Sequence, residues 1–189
     1  MSTILHFNGT AWTPMTSGVS TWFCDVAGGA PNDVYAVGYA GTILHYDGTA
    51  RSTVHTGGPN LRAVWTGPGG IACAAGENGT LLRFDGSTWS PMSSVTTTTL
   101  WAVWGSSAND VFVVGGQGTI LHSDGSTVTP MTSGTNQGLR GVWGAATNSV
   151  IVVGDNGTVL LYDGSDWQVT SGSAHGYLSA VSGTSATDV

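Results

Sequence analysis

Residues 139–170 read LRGVWGAATNSVIVVGDNGTVLLYDGSDWQVT, and this stretch decides the fold. It divides at glycine, asparagine and aspartate into four short apolar runs. Leu139–Trp143 is the first and ends at Gly144, and Val150–Val153 is the second and ends at Gly154. Val159–Tyr162 is the third, entered through Gly157-Thr158 and left through Asp163-Gly164. Trp167–Thr170 is the fourth. Runs of this length, alternating with period two and bounded by turn residues, predict β-strands. No apolar residues recur at helical spacing.

The unit repeats along the chain. Gly or Ser, then Thr, then an apolar pair occurs at Thr3, Thr42, Thr80, Thr119 and Thr158, at spacings of 39, 38, 39 and 39 residues. The first-run valine keeps the same period: Val26, Val64, Val103, Val142 and Val181. Four strands in about 39 residues is the period of a propeller blade. The sequence therefore predicts an all-β fold, a single β-propeller domain over residues 1–189 with five blades of four antiparallel strands. Residues 1–22 supply strands three and four of the closing blade. Residues 23–60, 61–99, 100–138 and 139–176 are the full blades, and residues 177–189 start the closing blade. Five whole units at this spacing need 194 residues, five more than the 189 present. The shortfall falls on one second strand. A closing blade short of that strand is an exposed edge and a possible point of self-association. The alternative is a segment of a larger array.

Composition narrows the function. Thirty glycines and 8% charged residues suit an all-β protein with many tight turns, and 40% apolar residues suffice for a core. The net charge is −7, with no lysine and four arginines at 51, 62, 83 and 140. Without a basic stripe there is no footprint for nucleic acid or for an anionic membrane. No apolar run is long enough to cross a bilayer. Residues 1–10 carry no basic segment followed by an apolar one, so no signal peptide is visible. The compartment stays open, with a secreted or cell-surface one favoured. Cys24 and Cys73 fall in different units and read as unpaired core thiols.

Recurring residues read first as scaffold. Asn8-Gly9, Asp47-Gly48, Asp85-Gly86, Asp124-Gly125 and Asp163-Gly164 are expected to close two-residue hairpins. They would point apart on a ring, whereas metal binding or acid–base work needs convergent carboxylates. Trp65, Trp104 and Trp143 end first strands, and Trp12, Trp89 and Trp167 begin fourth strands. Packing between blades accounts for both sets better than sugar stacking does. Trp22 and Trp101 break the pattern. His6, His45 and His122 share a position that holds Arg83 and Leu161 in other units, so packing is the simpler reading than metal ligation. Gly28-Gly29 and Gly67-Pro68-Gly69-Gly70 precede no helix and so cradle no phosphate.

Variation concentrates at two places. The second residue of strand one is Cys24, Arg62, Trp101, Arg140 or Ser179. The turn between strands two and three is Tyr39-Ala40, Glu77-Asn78, Gly116-Gln117 or Asp155-Asn156. Both lie on one face of the disc, and variable loops on a rigid scaffold commonly carry function. Simple drift of exposed turns is the competing explanation. The candidate ligand-binding residues are Arg62, Trp101, Arg140, Tyr39, Glu77, Gln117, Asp155 and Asn156. No catalytic residue, metal ligand or cofactor is expected.

The unit LRGVWGAATNSVIVVGDNGTVLLYDGSDWQVTSG resembles two sets of propeller repeats. One is the BNR-like repeat of the photosystem II stability and assembly factor type, with its Gly-Thr-Ile-Leu and Asp-Gly-x-x-Trp elements. The other is the tectonin and tachylectin type, with Tyr-Asp-Gly-Ser-x-Trp. The resemblance covers all five units. HYDGTAR, RFDGSTW and LYDGSDW lack the leading serine of the sialidase Asp-box, and one glutamate, Glu77, cannot supply sialidase chemistry. The tectonin likeness implies a carbohydrate-binding, lectin-like module with shallow repeated sites. The assembly-factor likeness implies a protein-binding scaffold. The expected partner is thus a glycan, or alternatively a protein surface.

Overall fold

The computed structural model describes residues 3–171 and 176–189. It is an all-β propeller with four four-stranded antiparallel sheets and one two-stranded sheet. The two-stranded sheet is β1 (Thr3–Phe7) and β2 (Trp12–Thr16). The first full blade is β3 (Phe23–Ala30), β4 (Asp33–Gly38), β5 (Ile43–Tyr46) and β6 (Arg51–His55). The second is β7 (Leu61–Gly67), β8 (Ile71–Gly76), β9 (Leu81–Phe84) and β10 (Trp89–Pro91). The third is β11 (Leu100–Ser107), β12 (Asp110–Gly115), β13 (Ile120–Ser123) and β14 (Val128–Met131). The fourth is β15 (Leu139–Ala146), β16 (Ser149–Gly154), β17 (Thr158–Tyr162) and β18 (Trp167–Ser171). Each blade is an up-and-down meander in which neighbours in sequence are neighbours in the sheet.

First strands line up from blade to blade, β3 on β7, β7 on β11 and β11 on β15. Second strands fill the space between blades. Tyr35, Val37 and Ile43 of one blade pack with Leu61, Val64, Ala72 and Leu82 of the next. Phe112 and Ile120 meet Val142, Val152 and Leu160 in the same way. Middle strands are apolar on both faces because each blade is sandwiched: Ile43 is 0% and Leu44 3% exposed. Each such side chain contributes about 1.5–3 kcal/mol of burial.

First strands run longer than the sequence suggests. β15 continues through Gly144↔Val150 to Ala146↔Ser149, with a register shift between those pairs. A bulge carries the strand past the glycine expected to end it. The Asp-Gly turns also differ from a two-residue hairpin. The ladder stops at Tyr46↔Arg51, leaving four residues between. The Asp47 N–H donates to Ala50 O at 3.1 Å. The return bond goes to the side chain, since the Ala50 N–H donates to Asp47 Oδ1 at 2.7 Å. Asp85, Asp124, Asp163 and Asn8 accept equivalent bonds, which accounts for their recurrence.

The expected first strand over 177–189 does not form. Beyond a single bridge, Ser185↔Asp188, no ladder joins these described residues to another strand. The segment still follows the blade path. The Leu178 N–H donates to Gly154 O at 3.1 Å, and a Cβ on Gly141 would lie 3.1 Å from Ala180 Cα. The chain around the end of the fourth blade, residues 172–175, lies outside the described residues.

Candidate functional site

The variable residue of strand one has a common backbone cause. Register shifts fall between Phe23 and Asp25, Leu61 and Ala63, Leu100 and Ala102, and Leu139 and Gly141. Cys24, Arg62, Trp101 and Arg140 are therefore bulge residues, each without a Cα partner on the second strand. Bulges re-aim a side chain and relieve it of packing duty. Opposite each bulge the second strand ends in glycine. A Cβ on Gly38, Gly76, Gly115 or Gly154 would lie 2.0–2.4 Å from the backbone oxygen of Trp22, Asn60, Thr99 or Gly138. The next N–H donates to that same oxygen, from Tyr39, Glu77, Gly116 and Asp155 at 2.8–2.9 Å. Bulge and turn are thus fixed side by side on one face.

The side chains on this face stack into a row across the blades. The Trp22 and Tyr39 rings are 5.9 Å apart. The Arg62 guanidinium sits 5.2 Å from the Tyr39 ring and 5.5 Å from Trp101. The Arg140 guanidinium sits 4.7 Å from Trp101. Trp101 lies between two arginines that belong to the blades on either side of it. Cation–π contacts of this kind contribute about 0.5–2 kcal/mol each, depending on desolvation.

Each arginine is also ion-paired within its blade. Arg140 donates from Nε to Asp155 Oδ1 at 2.8 Å and from Nη2 to Oδ2 at 2.9 Å. Arg62 pairs with Glu77 through Nη2 and Oε1. Asn60 supports that pair, donating from Nδ2 to Glu77 Oε2 at 3.0 Å and accepting the Ala40 N–H at 2.9 Å. The hydrogen bonds from Arg62 hold the Glu77 carboxyl below its usual range, and those from Arg140 do so for Asp155. Both guanidiniums are correspondingly pushed up, so the row carries two positive charges, each beside its own anion.

Six of the candidate residues, Tyr39, Arg62, Glu77, Trp101, Arg140 and Asp155, therefore come together. Gln117 and Asn156 do not join the stacked row. They occupy left-handed positions with φ of 57° and 56°, as Ala40 and Asn78 do at 53° and 56°. Both are exposed, and Asn156 Nδ2 donates to Gln137 Oε1 at 2.7 Å. The sequence reading missed Asn60 and Asp25. Asp25 Oδ2 accepts the Val64 N–H from the next blade at 2.9 Å, and Oδ1 accepts the Val26 N–H at 2.8 Å. Burial pushes its carboxyl up, and those two bonds partly offset the rise. A charged residue in an otherwise apolar strand was the available signal. Cys24 is exposed on the same face, with Sγ 3.9 Å from Arg62 Nη1, so it is no core thiol; Cys73 is buried.

The histidines belong to a different place. His45 Nε2 lies 2.9 Å from Asp33 Oδ1 and the ring stacks on Tyr35, while His122 Nε2 lies 2.7 Å from Asp110 Oδ1 and packs on Phe112. Ser106 Oγ also donates to Asp110, but to the carboxylate and not to the imidazole, so no nucleophile–base contact arises. Among the described residues no group of three or more His, Cys, Asp or Glu converges as a metal site. Two open clefts of about 540 and 560 Å³ lie at outer strands, around Met92 and around Met15, away from the stacked row.

Three solved structures frame this geometry. A structure described as "YCF48 bound to D1 peptide" superposes with a TM-score of 0.67 at 17% identity, over 88% of this chain and 60% of that one. YCF48 from Cyanidioschyzon merolae gives 0.65 at 14% identity, over 89% and 63%. The WD40 β-propeller domain of Doa1 gives 0.71 at 13% identity, over 83% and 57%. The chain thus spans about three fifths of the length of each. No protein-family model and no curated protein matches the chain. At these identities the likeness is one of fold. The assembly-factor side of the sequence resemblance has counterparts among these structures, and the tectonin side has none. By repeat and by architecture, the chain is a β-propeller repeat protein.

Proposed function

We propose that the chain is a non-enzymatic, protein-binding module that takes an extended polypeptide on the face carrying Tyr39, Arg62, Trp101 and Arg140. This replaces the carbohydrate reading with the scaffold alternative. The observation that carries it is the occupancy of Trp101. A lectin site needs an open aromatic face for the sugar ring, and here the Trp101 ring is flanked by guanidiniums at 5.5 and 4.7 Å. A row of tryptophan, tyrosine and neutralised arginine instead has the composition of a protein-interface core. Trp22 and Tyr177, 76% and 79% exposed, add aromatic surface that a partner could bury. The neighbour bound to the D1 peptide is a propeller with a peptide ligand, which agrees with this reading.

The test uses a random-peptide display library selected on the wild-type chain, alongside a glycan array. Selected peptides are expected to bind Trp101→Ala and Arg140→Ala at least about tenfold more weakly, with the melting temperature moved by only a few degrees, and no glycan is expected to bind. Glycan binding that is lost in those same variants would restore the lectin reading. Selected peptides that bind both variants undiminished would place the site elsewhere.

A further inference from the structure

One boundary between blades lacks the aromatic contact that its two neighbours share. Strand register sets the comparison. Tyr35 opposite His45, Cys73 opposite Arg83 and Phe112 opposite His122 hold one position in three successive blades. Each pair faces the following blade, where Phe84 with Trp89, Ser123 with Val128 and Tyr162 with Trp167 hold the matching position. Between the first and second full blades, Tyr35 stacks on His45 at 4.5 Å and meets Phe84 and Trp89 at 5.7 and 5.6 Å. Between the third and fourth, Phe112 meets His122, Tyr162 and Trp167 at 4.7, 5.4 and 5.9 Å. Between the second and third, the same positions hold Cys73, Arg83, Ser123 and Val128, and none of them carries a ring.

The cleft of about 540 Å³ around Met92 opens at this boundary. Arg83, Asp85, Ser90 and Met92 wall it from the second blade, and Thr127 and Val128 wall it from the third. The cleft carries two opposite charges that do not meet each other. In the flanking blades the histidine at the Arg83 position lies against Asp33 or Asp110. In the second blade the residue that replaces the aspartate is Ile71. The half-buried Arg83 guanidinium accordingly makes no hydrogen bond or ion pair among the described residues, whereas Arg62 and Arg140 each hold a carboxylate. Asp85 is engaged in its own turn, where Oδ1 accepts the Ser87 and Thr88 N–H groups at 2.8 and 2.9 Å. The bonds from Thr88 and Ser87 hold its carboxyl at about 2, so it is charged at neutral pH. Its Oδ2 accepts no hydrogen bond among the described residues.

We infer that this cleft binds a free aromatic amino acid, with its carboxylate on the Arg83 guanidinium, its ammonium on Asp85 and its ring over Met92 and Val128. The guanidinium fork takes a planar carboxylate through two parallel N–H bonds. A simple anion would meet Asp85 and a simple cation would meet Arg83, so a zwitterion is the class of molecule that suits both. The ring lies at the one described boundary where the blades supply none of their own, and its apolar area is the main gain on binding. The Ser90 hydroxyl, directly opposite Arg83 across the strands, adds a neutral hydrogen-bonding group at the carboxylate end. The cleft shares no residue with the stacked arginine row, and the inference does not depend on the peptide-binding proposal.

The chain's own repeats supply the variants. Arg83→Leu copies Leu161, Asp85→Asn copies Asn8, and Val128→Trp copies Trp89 and Trp167. Each is expected to melt within a few degrees of wild type. The experiment titrates L-phenylalanine into the ¹⁵N-labelled chain, beside three probes: 3-phenylpropionate lacks the ammonium, phenethylamine lacks the carboxylate, and N-acetylphenylalaninamide lacks both charges. Saturable shifts are expected with L-phenylalanine at the amides of Arg83, Ser90 and Val128. Arg83→Leu is expected to weaken binding at least about tenfold, the size of one hydrogen bond to a charged group. Val128→Trp is expected to abolish it by filling the cleft, and Asp85→Asn to weaken phenylalanine without weakening 3-phenylpropionate. If Val128→Trp fails to fold, Arg83→Leu decides alone. No saturable shift at millimolar phenylalanine, or binding that survives Arg83→Leu undiminished, would overturn the inference. So would equal binding of N-acetylphenylalaninamide, which would make the ligand a side chain within a polypeptide, and equal binding of 3-phenylpropionate, which would leave Asp85 no part.

Discussion

Arg140 and Asp155 stand fifteen residues apart in sequence and meet in a two-point ion pair, at 2.8 and 2.9 Å. One is the bulge residue of a first strand and the other opens the turn after the second. The pair holds the guanidinium plane in place beside Trp101, so an electrostatic contact within one blade sets a stacking contact with the next. Asp155→Ala should therefore weaken binding at the stacked face by freeing Arg140, without touching a ligand itself. Asp155→Glu should recover part of the loss. Isothermal titration with a display-selected peptide reads both changes, and an undiminished affinity in Asp155→Ala would remove the pair from the site.

The outer turns are expected to contribute to stability against acid. Hydrogen bonds from Ala50 and Thr49 hold Asp47 at about 2, and those from Thr88 and Ser87 hold Asp85 at about 2. A carboxyl depressed in the fold contributes stability above its unfolded value, near 4, and the contribution is lost as pH falls toward the folded value. Melting temperature should thus decline between about pH 4 and pH 2. Asn8 makes the same turn without a charge, accepting the Thr10 and Ala11 N–H groups at 3.0 and 2.9 Å. Asp47→Asn with Asp85→Asn should therefore melt within a few degrees of wild type at pH 7 and lose part of the acid-dependent decline. An unchanged pH profile in the double variant would show that these turns do not govern acid stability.

The repeat and its strands were legible in the spacing of Thr42, Thr80, Thr119 and Thr158, because the period is a property of one sequence read against itself. The bulge position was legible as variation at Arg62, Trp101 and Arg140, since a residue without a strand partner is free to change. Asn60 and Asp25 were not legible. Each makes a side-chain contact across blades, Asn60 with the Ala40 N–H and Asp25 with the Val64 N–H, and neither side chain recurs in the other units. Gln117 and Asn156 lie outside the stacked row, which their variation did not reveal. A left-handed turn position varies in every unit, and variation alone does not separate a binding residue from a solvated one. The order of the row, with arginines from adjoining blades flanking Trp101, was not legible either, and it is what favours the protein-binding proposal over the sugar one.

Gly154 is required by distance and not by conformation. Its backbone is extended at φ −166°, which any residue adopts, yet a Cβ would lie 2.2 Å from Gly138 O. That oxygen accepts the Asp155 N–H, so it cannot withdraw without opening the turn. Gly154→Ala should destabilise by about 3 kcal/mol, a fall of roughly 6–12 °C for a chain of this size. Differential scanning calorimetry checks it. A change below about 2 °C would mean that the bulge can shift cheaply.

Asp25 joins two blades through one carboxylate, with an oxygen for the Val64 N–H and another for the Val26 N–H. Asparagine keeps one acceptor and turns a donor toward the other N–H. Asp25→Asn should cost about 1–3 kcal/mol for the unpaired group. The pH sign is opposite to that of the turns. Burial raises this carboxyl, so protonation favours the fold here, and the Asn variant should lose a small stabilising response to acid. Melting curves of both forms at pH 7 and pH 4 separate the two effects. Equal stability at both pH values would deny Asp25 its bridging role.

The two thiols report on the two regions of the blade. Cys73 is buried among Ala75, Leu81 and Leu100, and burial pushes its thiol up to about 12. The thiolate is the reactive form, so Cys73 should be inert in the folded chain. Cys24 is the exposed bulge residue of the first full blade, beside Arg62. Ellman's reagent at pH 8 should therefore titrate one thiol at once and the second only after denaturant is added. Fast reaction of both would mean that the space between the second and third blades opens in the folded state. The same asymmetry offers a probe of the proposed face. A bulky maleimide on Cys24 places its mass next to the Arg62 guanidinium and the Tyr39 ring, and should block a display-selected peptide while leaving the melting temperature nearly unchanged. If the labelled protein binds the peptide as tightly as the unlabelled one, the ligand does not cross the row at Arg62.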